Sequence, residues 1–301
     1  MTKLLLLGAS GFIGQGLYEI LSRLKNIQVI RHSRSPRAGY NVCEFGSGEF
    51  IELIRDSDVV VNCTGIGLSR LGESAESNES LTQKILASIE PGVGGKKNIF
   101  HLSSVKAHNP EKRPDAYADD KWAAEQAIYA NAHKVQGVIL RVPTVLGLHD
   151  KNLLPMISLC RLKLLPKVKG KLPALHVIGV DSIAQSIIKW LSRRPDQTLQ
   201  IHYLLSHDTV TYNDLVCEVH DKLHGDGGFA RIRTVKLGTL FRIYKVLSFL
   251  DVFRRQRKLF PWARFNDLFV HAWHVEEGIA VIRTRTDLST LVEGYFEKVS
   301  D

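Results

Sequence analysis

Over roughly the first 145 residues, short apolar runs alternate with longer stretches whose apolar residues recur every three or four positions. Lys3–Leu7, Gln28–Arg31, Asp58–Cys63, Asn98–Leu102 and Gly137–Arg141 carry apolar residues on both faces, the pattern of strands covered from both sides. Helical spacing falls between them, near Gly14–Arg23, Gly48–Ile54, Leu81–Ile89 and Ala118–Ala132. Strands and helices in such alternation predict an α/β fold, a doubly wound parallel sheet with right-handed crossovers.

Further along, the alternation loosens. Helices are expected at Asn152–Lys163 and Val180–Leu191, a short strand at His202–Leu205, and loops at Leu164–Pro173 and Gly225–Gly228. Leu237–Arg255 is amphipathic, with Phe241, Tyr244, Phe249 and Phe253 flanked by Arg242, Lys245, Arg254 and Arg255. These patterns divide the chain into a main domain, residues 1–164 with 176–205 returning to it, and a smaller lobe, 165–175 and 206–301.

The turn from the first strand into the first helix reads Gly8-Ala-Ser-Gly-Phe-Ile-Gly14. Gly8 and Gly11 let the backbone turn tightly and approach phosphate oxygens, and Gly14 lets the helix pack on the strand. A helix N-terminus also favours an anion. Gly8, Ser10, Gly11, Phe12, Ile13 and Gly14 are therefore the expected contacts of a dinucleotide pyrophosphate, and the sheet is of Rossmann type. An NAD site places Asp or Glu near the end of the second strand to accept from the ribose 2′-hydroxyl. Here that segment is Ile30-Arg-His-Ser-Arg-Ser-Pro-Arg37, without an acid. Guanidinium groups suit a 2′-phosphate, so Arg31 and Arg34 predict NADP(H) over NAD(H), and spacing leaves open which of them points at the ribose. The plainer reading of these arginines is a solvated loop.

About a hundred residues on, Tyr117-Ala-Asp-Asp-Lys121 follows the pair Ser103-Ser104. Tyr117 and Lys121 share one helix face. A free phenol titrates near pH 10, and a neighbouring ammonium and an oxidised nicotinamide both stabilise its phenolate. Ser104, just past a strand, is placed to hydrogen-bond a substrate oxygen. Such a Tyr–Lys pair is a common accident on exposed helices. Behind a strand ending in Ser-Ser, in a nucleotide-binding domain, Ser104, Tyr117 and Lys121 read as a hydride-transfer constellation.

Composition narrows the alternatives. The 301 residues are 44% hydrophobic and 24% charged, an ordinary globular balance. A net charge of +9 is spread along the chain with short clusters at Lys163–Lys171 and Arg254–Lys258, and no nucleic-acid-binding motif accompanies it. It suits an anionic substrate, or an anionic membrane face beneath Leu237–Arg255, whose plainer reading is a core-covering helix or subunit contact. Cys43, Cys63, Cys160 and Cys217 lack metal-ligand spacing and the first apolar run is too short for a signal segment, so a cytoplasmic, disulfide-free protein is expected. The histidines lack zinc-site spacing, and His101 and His108 read as packed or loop residues. Ser104 with His101 and Asp115 has no nucleophile elbow around it, which speaks against a hydrolase.

In order along the chain, Gly8–Gly14, Phe100-His-Leu-Ser-Ser-Val105, Tyr117–Lys121, Leu140-Arg-Val-Pro143 with Gly147, and Val180-Asp-Ser-Ile-Ala184 resemble the extended short-chain dehydrogenase/reductases. The branch is that of the nucleotide-sugar epimerases, dehydratases and 4-ketoreductases. The likeness covers about residues 1–205 and fades in the last third. It implies Ser104, rather than Ser103, as the catalytic serine, Tyr117 and Lys121 as its partners, and Tyr117 and Lys121 as cofactor contacts too. Glu44 and Phe45 would lie by the adenine, Thr64 and Gly65 beside the cofactor, Pro143 and Thr144 near the nicotinamide. Asn78–Thr82 resembles the family's Asn-containing helix start, and Asn152 a residue on the substrate diphosphate. No metal is implied; a homodimer is. The departures are Phe45 for a smaller residue, Asn62-Cys-Thr-Gly65 at a strand end, Val-Lys-Ala-His-Asn after Ser104, and the basic loop Lys163–Lys171. The expected activity is NADP(H)-dependent reduction of a 4-keto(-6-deoxy) nucleotide-diphosphate sugar in polysaccharide biosynthesis. The alternatives are a nucleotide-sugar 4-epimerase on the same scaffold, or a non-catalytic NADP-binding sensor or scaffold protein.

Overall fold

The structure, a computed structural model, describes residues 1–65, 76–90, 95–107, 115–147, 150, 154–193, 198–225, 232–252, 265, 268–269 and 275–297. Its centre is an eight-stranded parallel sheet. In chain order the strands are β1 (Thr2–Leu7), β2 (Ile27–Ser33), β3 (Asn41–Val42), β4 (Val59–Asn62), β5 (Lys97–Ser104), β6 (Val135–Val142), β10 (Leu199–Ser206) and β12 (Ala280–Thr284). Across the sheet they run β12-β10-β6-β5-β4-β1-β2-β3, so the winding reverses between β1 and β4.

The helices over this sheet are α1 (Phe12–Leu21), α2 (Gly48–Arg55), α3 (Asn78–Ala87), α4 (Ala116–Ala130) and α6 (Val180–Ser192). Period-two alternation sorts the first strand between two layers. Leu4 and Leu6 pack with Leu17 of α1 and Ile183 and Ile187 of α6. Leu5 and Leu7 pack with Phe50 of α2, Ile85 of α3 and Ile128 of α4. Burying each such leucine contributes about 1.5–3 kcal/mol, which is why an unbroken apolar run is needed here.

The remaining elements build a second core. They are α5 (Leu154–Arg161), α7 (Tyr212–His224), α8 (Leu237–Val252), α9 (Leu288–Glu297) and the short strands β7 (Thr144–Leu146), β8 (Lys167–Lys169), β9 (Val177–Gly179) and β11 (Thr234–Lys236). Ile157, Val168, Leu175, Tyr212, Val216 and Phe265 meet there. Two differences from the sequence reading stand out. β8 interrupts the expected loop Leu164–Pro173 because β11 pairs with it in parallel. β12, from the late segment, completes the main sheet beside β10.

Candidate active site

The reversal between β1 and β4 opens a crevice at the carboxyl ends of the strands, where doubly wound sheets hold ligands. Gly8 adopts φ +76°, a left-handed conformation that favours glycine. Its carbonyl accepts the Gly11 N–H at 2.9 Å, closing the turn. A side chain on Gly14 would collide with the Gly8 carbonyl, and one on Gly8 would come 2.8 Å from the Cys63 carbonyl. The loop is thus wedged between α1 and β4. Gly11 is the N-cap of α1 and no side chain caps that helix. Open N–H groups, the helix dipole and a bare backbone make a cradle that fits a pyrophosphate.

Around the cradle, Gln15 Nε2 donates to the Ser10 carbonyl at 2.7 Å. Ile13 and Phe12 pack against the core. Arg31 is stacked between two rings, 4.0 Å from the centroid of Tyr18 and 4.4 Å from that of Tyr40. Tyr40 in turn donates to the Ala9 carbonyl at 3.3 Å, bringing this stack to the glycine loop. Arg34 pairs with Glu76 at 2.5 Å and lies 5.5 Å from the Phe45 ring centroid. Phe45 itself stacks on His32, while Glu44 is exposed. Thr64 gives both its N–H and its hydroxyl to Asn62 Oδ1, at 3.0 and 2.6 Å.

Ser104 is the last residue of β5, one step earlier than a position past the strand. Tyr117 occupies the first turn of α4, whose N-cap Asp115 accepts the N–H groups of Tyr117 and Ala118. One turn on, Lys121 is 6% exposed and donates to the Leu102 carbonyl at 3.4 Å. A Cβ on Gly65 would lie 2.7 Å from Asn78 Oδ1 and 3.1 Å from Lys121 Nζ, so that glycine marks the roof over the ammonium. Burial lowers Lys121 to about 8, opposed by Asp120, Glu125 and Cys63. The Cys63 thiol is pushed up to about 12 by burial, with Lys121 pulling the other way, and is an inert neighbour.

The structure therefore gathers the glycine loop, Thr64, Gly65, Ser104, Tyr117 and Lys121 at one crevice. Pro143 and Thr144 line the adjoining cleft with Val105, Leu175, His176 and Tyr203. Asn152 and His108 lie outside the described residues, as do residues 253–255 of the Leu237–Arg255 stretch. His101 is buried, accepts from Asn62 Nδ2 at 3.0 Å through Nδ1, and is driven down to about 3 by burial and Lys121. It packs; it does not carry protons near neutrality. Asp115 serves as a helix cap rather than a triad acid. Among the described residues no group of His, Cys, Asp and Glu could hold a metal. None of their helices is long and apolar enough to cross a membrane.

Several site residues escape a sequence reading. Asp120 accepts from Asn78 N, Asn78 Nδ2 and Glu79 N at 2.9, 2.6 and 3.1 Å, locking α3 to the helix that carries Tyr117 and Lys121. Lys106 is buried beside Tyr117. His176 bonds Ser206 Oγ through Nδ1 at 3.1 Å and faces the cleft. Nothing local in the sequence marks Lys106 or His176 for these contacts.

A family profile described as "NAD dependent epimerase/dehydratase family" matches residues 4–171. No curated protein sequence matches the chain. Solved structures share its fold at low identity. UDP-N-acetylglucosamine 4-epimerase from Bacillus cereus superposes with a TM-score of 0.66 at 15% identity, over 100% of this chain and 98% of that one. UDP-glucuronic acid 4-epimerase from Bacillus cereus, in complex with UDP-glucuronic acid and NAD, gives 0.67 at 15% identity over 99% and 100%. The Bordetella bronchiseptica enzyme WbmH in complex with NAD+ gives 0.61 at 14% identity over 79% and 86%.

Proposed function

Because the chain belongs to the NAD dependent epimerase/dehydratase family, we propose that its crevice inverts a hydroxyl-bearing ring carbon of a nucleotide-diphosphate sugar, as a 4-epimerase. The observation that supports this reading is Ser104 at the end of β5, linked through Lys106 and Asp115 to Tyr117 in the first turn of α4, with Lys121 one turn on beneath Gly65. Two of the solved structures that share the fold bear 4-epimerase names, which favours inversion over net reduction.

A nicotinamide cofactor held on Gly8–Gly14 supplies the place for a hydride. Everything else falls to the chain. Tyr117, as phenolate, takes the proton of the substrate hydroxyl and later returns it to the carbonyl oxygen. Lys121, sealed under Gly65, holds its positive charge near the phenol in a poorly screened site, where it favours the phenolate. Ser104 Oγ positions the substrate oxygen. The cleft of Val105, Pro143, Leu175 and Tyr203 takes the sugar and excludes water.

A second reading, NADP(H)-dependent reduction of a 4-keto sugar, is favoured by one observation. The end of β2 offers Arg31 and Arg34 and no carboxylate of its own. One experiment separates the two. The protein is incubated with UDP-N-acetylglucosamine, UDP-glucose, UDP-glucuronic acid and a 4-keto nucleotide sugar, each with NAD+ or NADPH. Interconverted sugars without net cofactor consumption support epimerisation; stoichiometric loss of NADPH with the keto sugar supports reduction. Full turnover by Tyr117→Phe would overturn both.

A further inference from the structure

We propose that Lys106 and Asp115 are a positioning pair that sets the geometry and local charge at Tyr117, an inference resting on the reading of Tyr117 as the proton carrier. Lys106 is 5% exposed, two residues past Ser104. Its N–H donates to Ser104 Oγ at 3.2 Å. Its ammonium lies 3.2 Å from Asp115 Oδ2 and 6.0 Å from the Tyr117 ring centroid. The other oxygen of Asp115 accepts Tyr117 N and Ala118 N at 3.0 and 3.4 Å. One carboxylate thus joins the serine loop to the head of the tyrosine helix. A buried ion pair adds little stability over apolar groups of the same shape, so positioning accounts for it better than stability does.

Among the described residues, the other charged groups at this end of the site are Lys121 and Asp119 on α4, and Asp120 with Glu79 at the α3 contact. Exchanging Lys106 or Asp115 leaves in place the Lys121 cation and the carboxylates that act on it, Asp120 and Glu125. Lys106→Met leaves the Asp115 carboxylate uncompensated beside the phenol. Asp115→Asn keeps a competent N-cap and takes one negative charge away from beside the ammonium and the phenol. The ionisation of Tyr117 is read by ultraviolet difference titration of the full-length protein, with Tyr117→Phe in the same background as the blank. The midpoint should rise by about one pH unit in Lys106→Met and fall by about one in Asp115→Asn, with Lys106→Arg near wild type. Shifts of the same sign, or none, overturn the proposal. Because the titration needs no substrate, it stands apart from the turnover test of Tyr117 itself.

A different surface carries a second inference. Between Asp150 and Asp181 the chain contains no acid, but Lys151, Arg161, Lys163, Lys167, Lys169 and Lys171. Leu154, Leu159, Leu162 and Leu164, on α5 and the turn after it, are between 39% and 65% exposed. Lys163 between the last two has φ 56°, where glycine would be at ease. The turn is closed by Lys163 N to the Cys160 carbonyl and Leu164 N to the Leu159 carbonyl, both 2.9 Å. A strained lysine between outward leucines suggests that its side chain has a use. The register of β8 with β11 sets exposed Lys169 opposite exposed Lys236 on the same side.

We infer that this face docks on an anionic bilayer, leucines entering the interface and cations meeting lipid phosphates. A second copy or the chain's own Arg254–Lys258 segment would bring like charge to it. The full-length protein is sedimented with vesicles of phosphatidylcholine alone or with three parts in ten phosphatidylglycerol. Binding is expected to the anionic vesicles only, weakened about tenfold by Lys163→Glu and again by Leu162→Ser with Leu164→Ser. Equal partition to neutral vesicles, no sedimentation, or variants that bind like wild type would each end the idea.

Discussion

Ser103 and Ser104 are neighbours on β5 whose side chains go to opposite sides of the sheet, into two different kinds of polar chemistry. Ser103 Oγ donates to Glu125 at 2.5 Å, and Arg141 grips both Glu125 oxygens, at 3.0 Å from Nε and 2.7 Å from Nη2. Arg141 also reaches Tyr203 and Glu276, at 2.9 and 2.8 Å. Burial pushes the Glu125 carboxyl up while Arg141 pulls it down, and the pair stays closed. Toward the crevice, the same α4-covered face of the sheet is unsaturated. Among the described residues Lys121 donates only to the Leu102 carbonyl, and His101 Nε2 has no partner. A network with every valence filled rivets strands and helices together; one with polar capacity in reserve is built for a ligand.

Variants can break that contrast, most severely at the tyrosine. Tyr117→Phe should lower kcat about 10³-fold while thermal melting stays put, the loss that the proposed role of the phenol as proton carrier requires. Glu125→Ala should do the reverse. It takes from the buried Arg141 its fully buried carboxylate, leaving the more exposed Glu276, and costs about 3–5 kcal/mol in urea unfolding. At the serines themselves, Ser104→Ala is expected to lower turnover about 10²-fold at unchanged stability. Ser103→Ala removes one Glu125 partner, costs about 1–3 kcal/mol and leaves turnover near wild type. If the two serine variants lost turnover equally, the division between rivet and site would be wrong.

The contrast also shows what the amino-acid pattern reveals. Runs such as Leu4–Leu7 must be buried on both faces, so the strands of the sheet from β1 to β6, longer than two residues, were legible to within a few residues. Glycines at 8, 11 and 14, and Tyr117 with Lys121, are local patterns whose geometry the helix and turn dictate. Strand alternation separates Ser103 from Ser104, but only pairing with α4 and β6 tells which one faces Glu125. Long-range partners were invisible: Lys106 with Asp115, Asp120 with Asn78, Arg141 with Glu276 across the chain. β12 was missed because an edge strand with exposed positions lacks the apolar run of a central one.

pH should move the two regions' signatures apart by a smaller margin. Lys121 titrates near 8 folded and 10.5 when its surroundings are lost. Between those values the unfolded chain holds more protons, so this group makes stability rise with pH; below about 8 the full penalty of a buried ammonium is present. Turnover should run the other way. Above about 8 a neutral Lys121 no longer supports the phenolate, and kcat declines. A pH series of melting temperatures beside a pH–rate profile checks both signs. Lys121→Met should abolish the rise in stability across that window and lower turnover throughout.

The smallest effect concerns a partly saturated cluster at the rim of the cofactor crevice. Glu76 holds Arg34 at 2.5 Å and Lys84 at 2.7 Å, and these two cations keep its carboxyl below the usual range, Lys84 contributing most. Arg34 is thereby occupied on the very loop where a 2′-phosphate would seek a guanidinium. Glu76→Gln removes the competing charge. Exposed pairs of this kind are worth about 0.2–1 kcal/mol, so the ratio of NADPH to NADH affinity should rise only about two- to fivefold. Titration calorimetry with both cofactors, set against Arg34→Ala, which should lower the same ratio, measures it. A ratio unmoved by either variant would leave the ring-stacked Arg31 as the guanidinium that meets the phosphate.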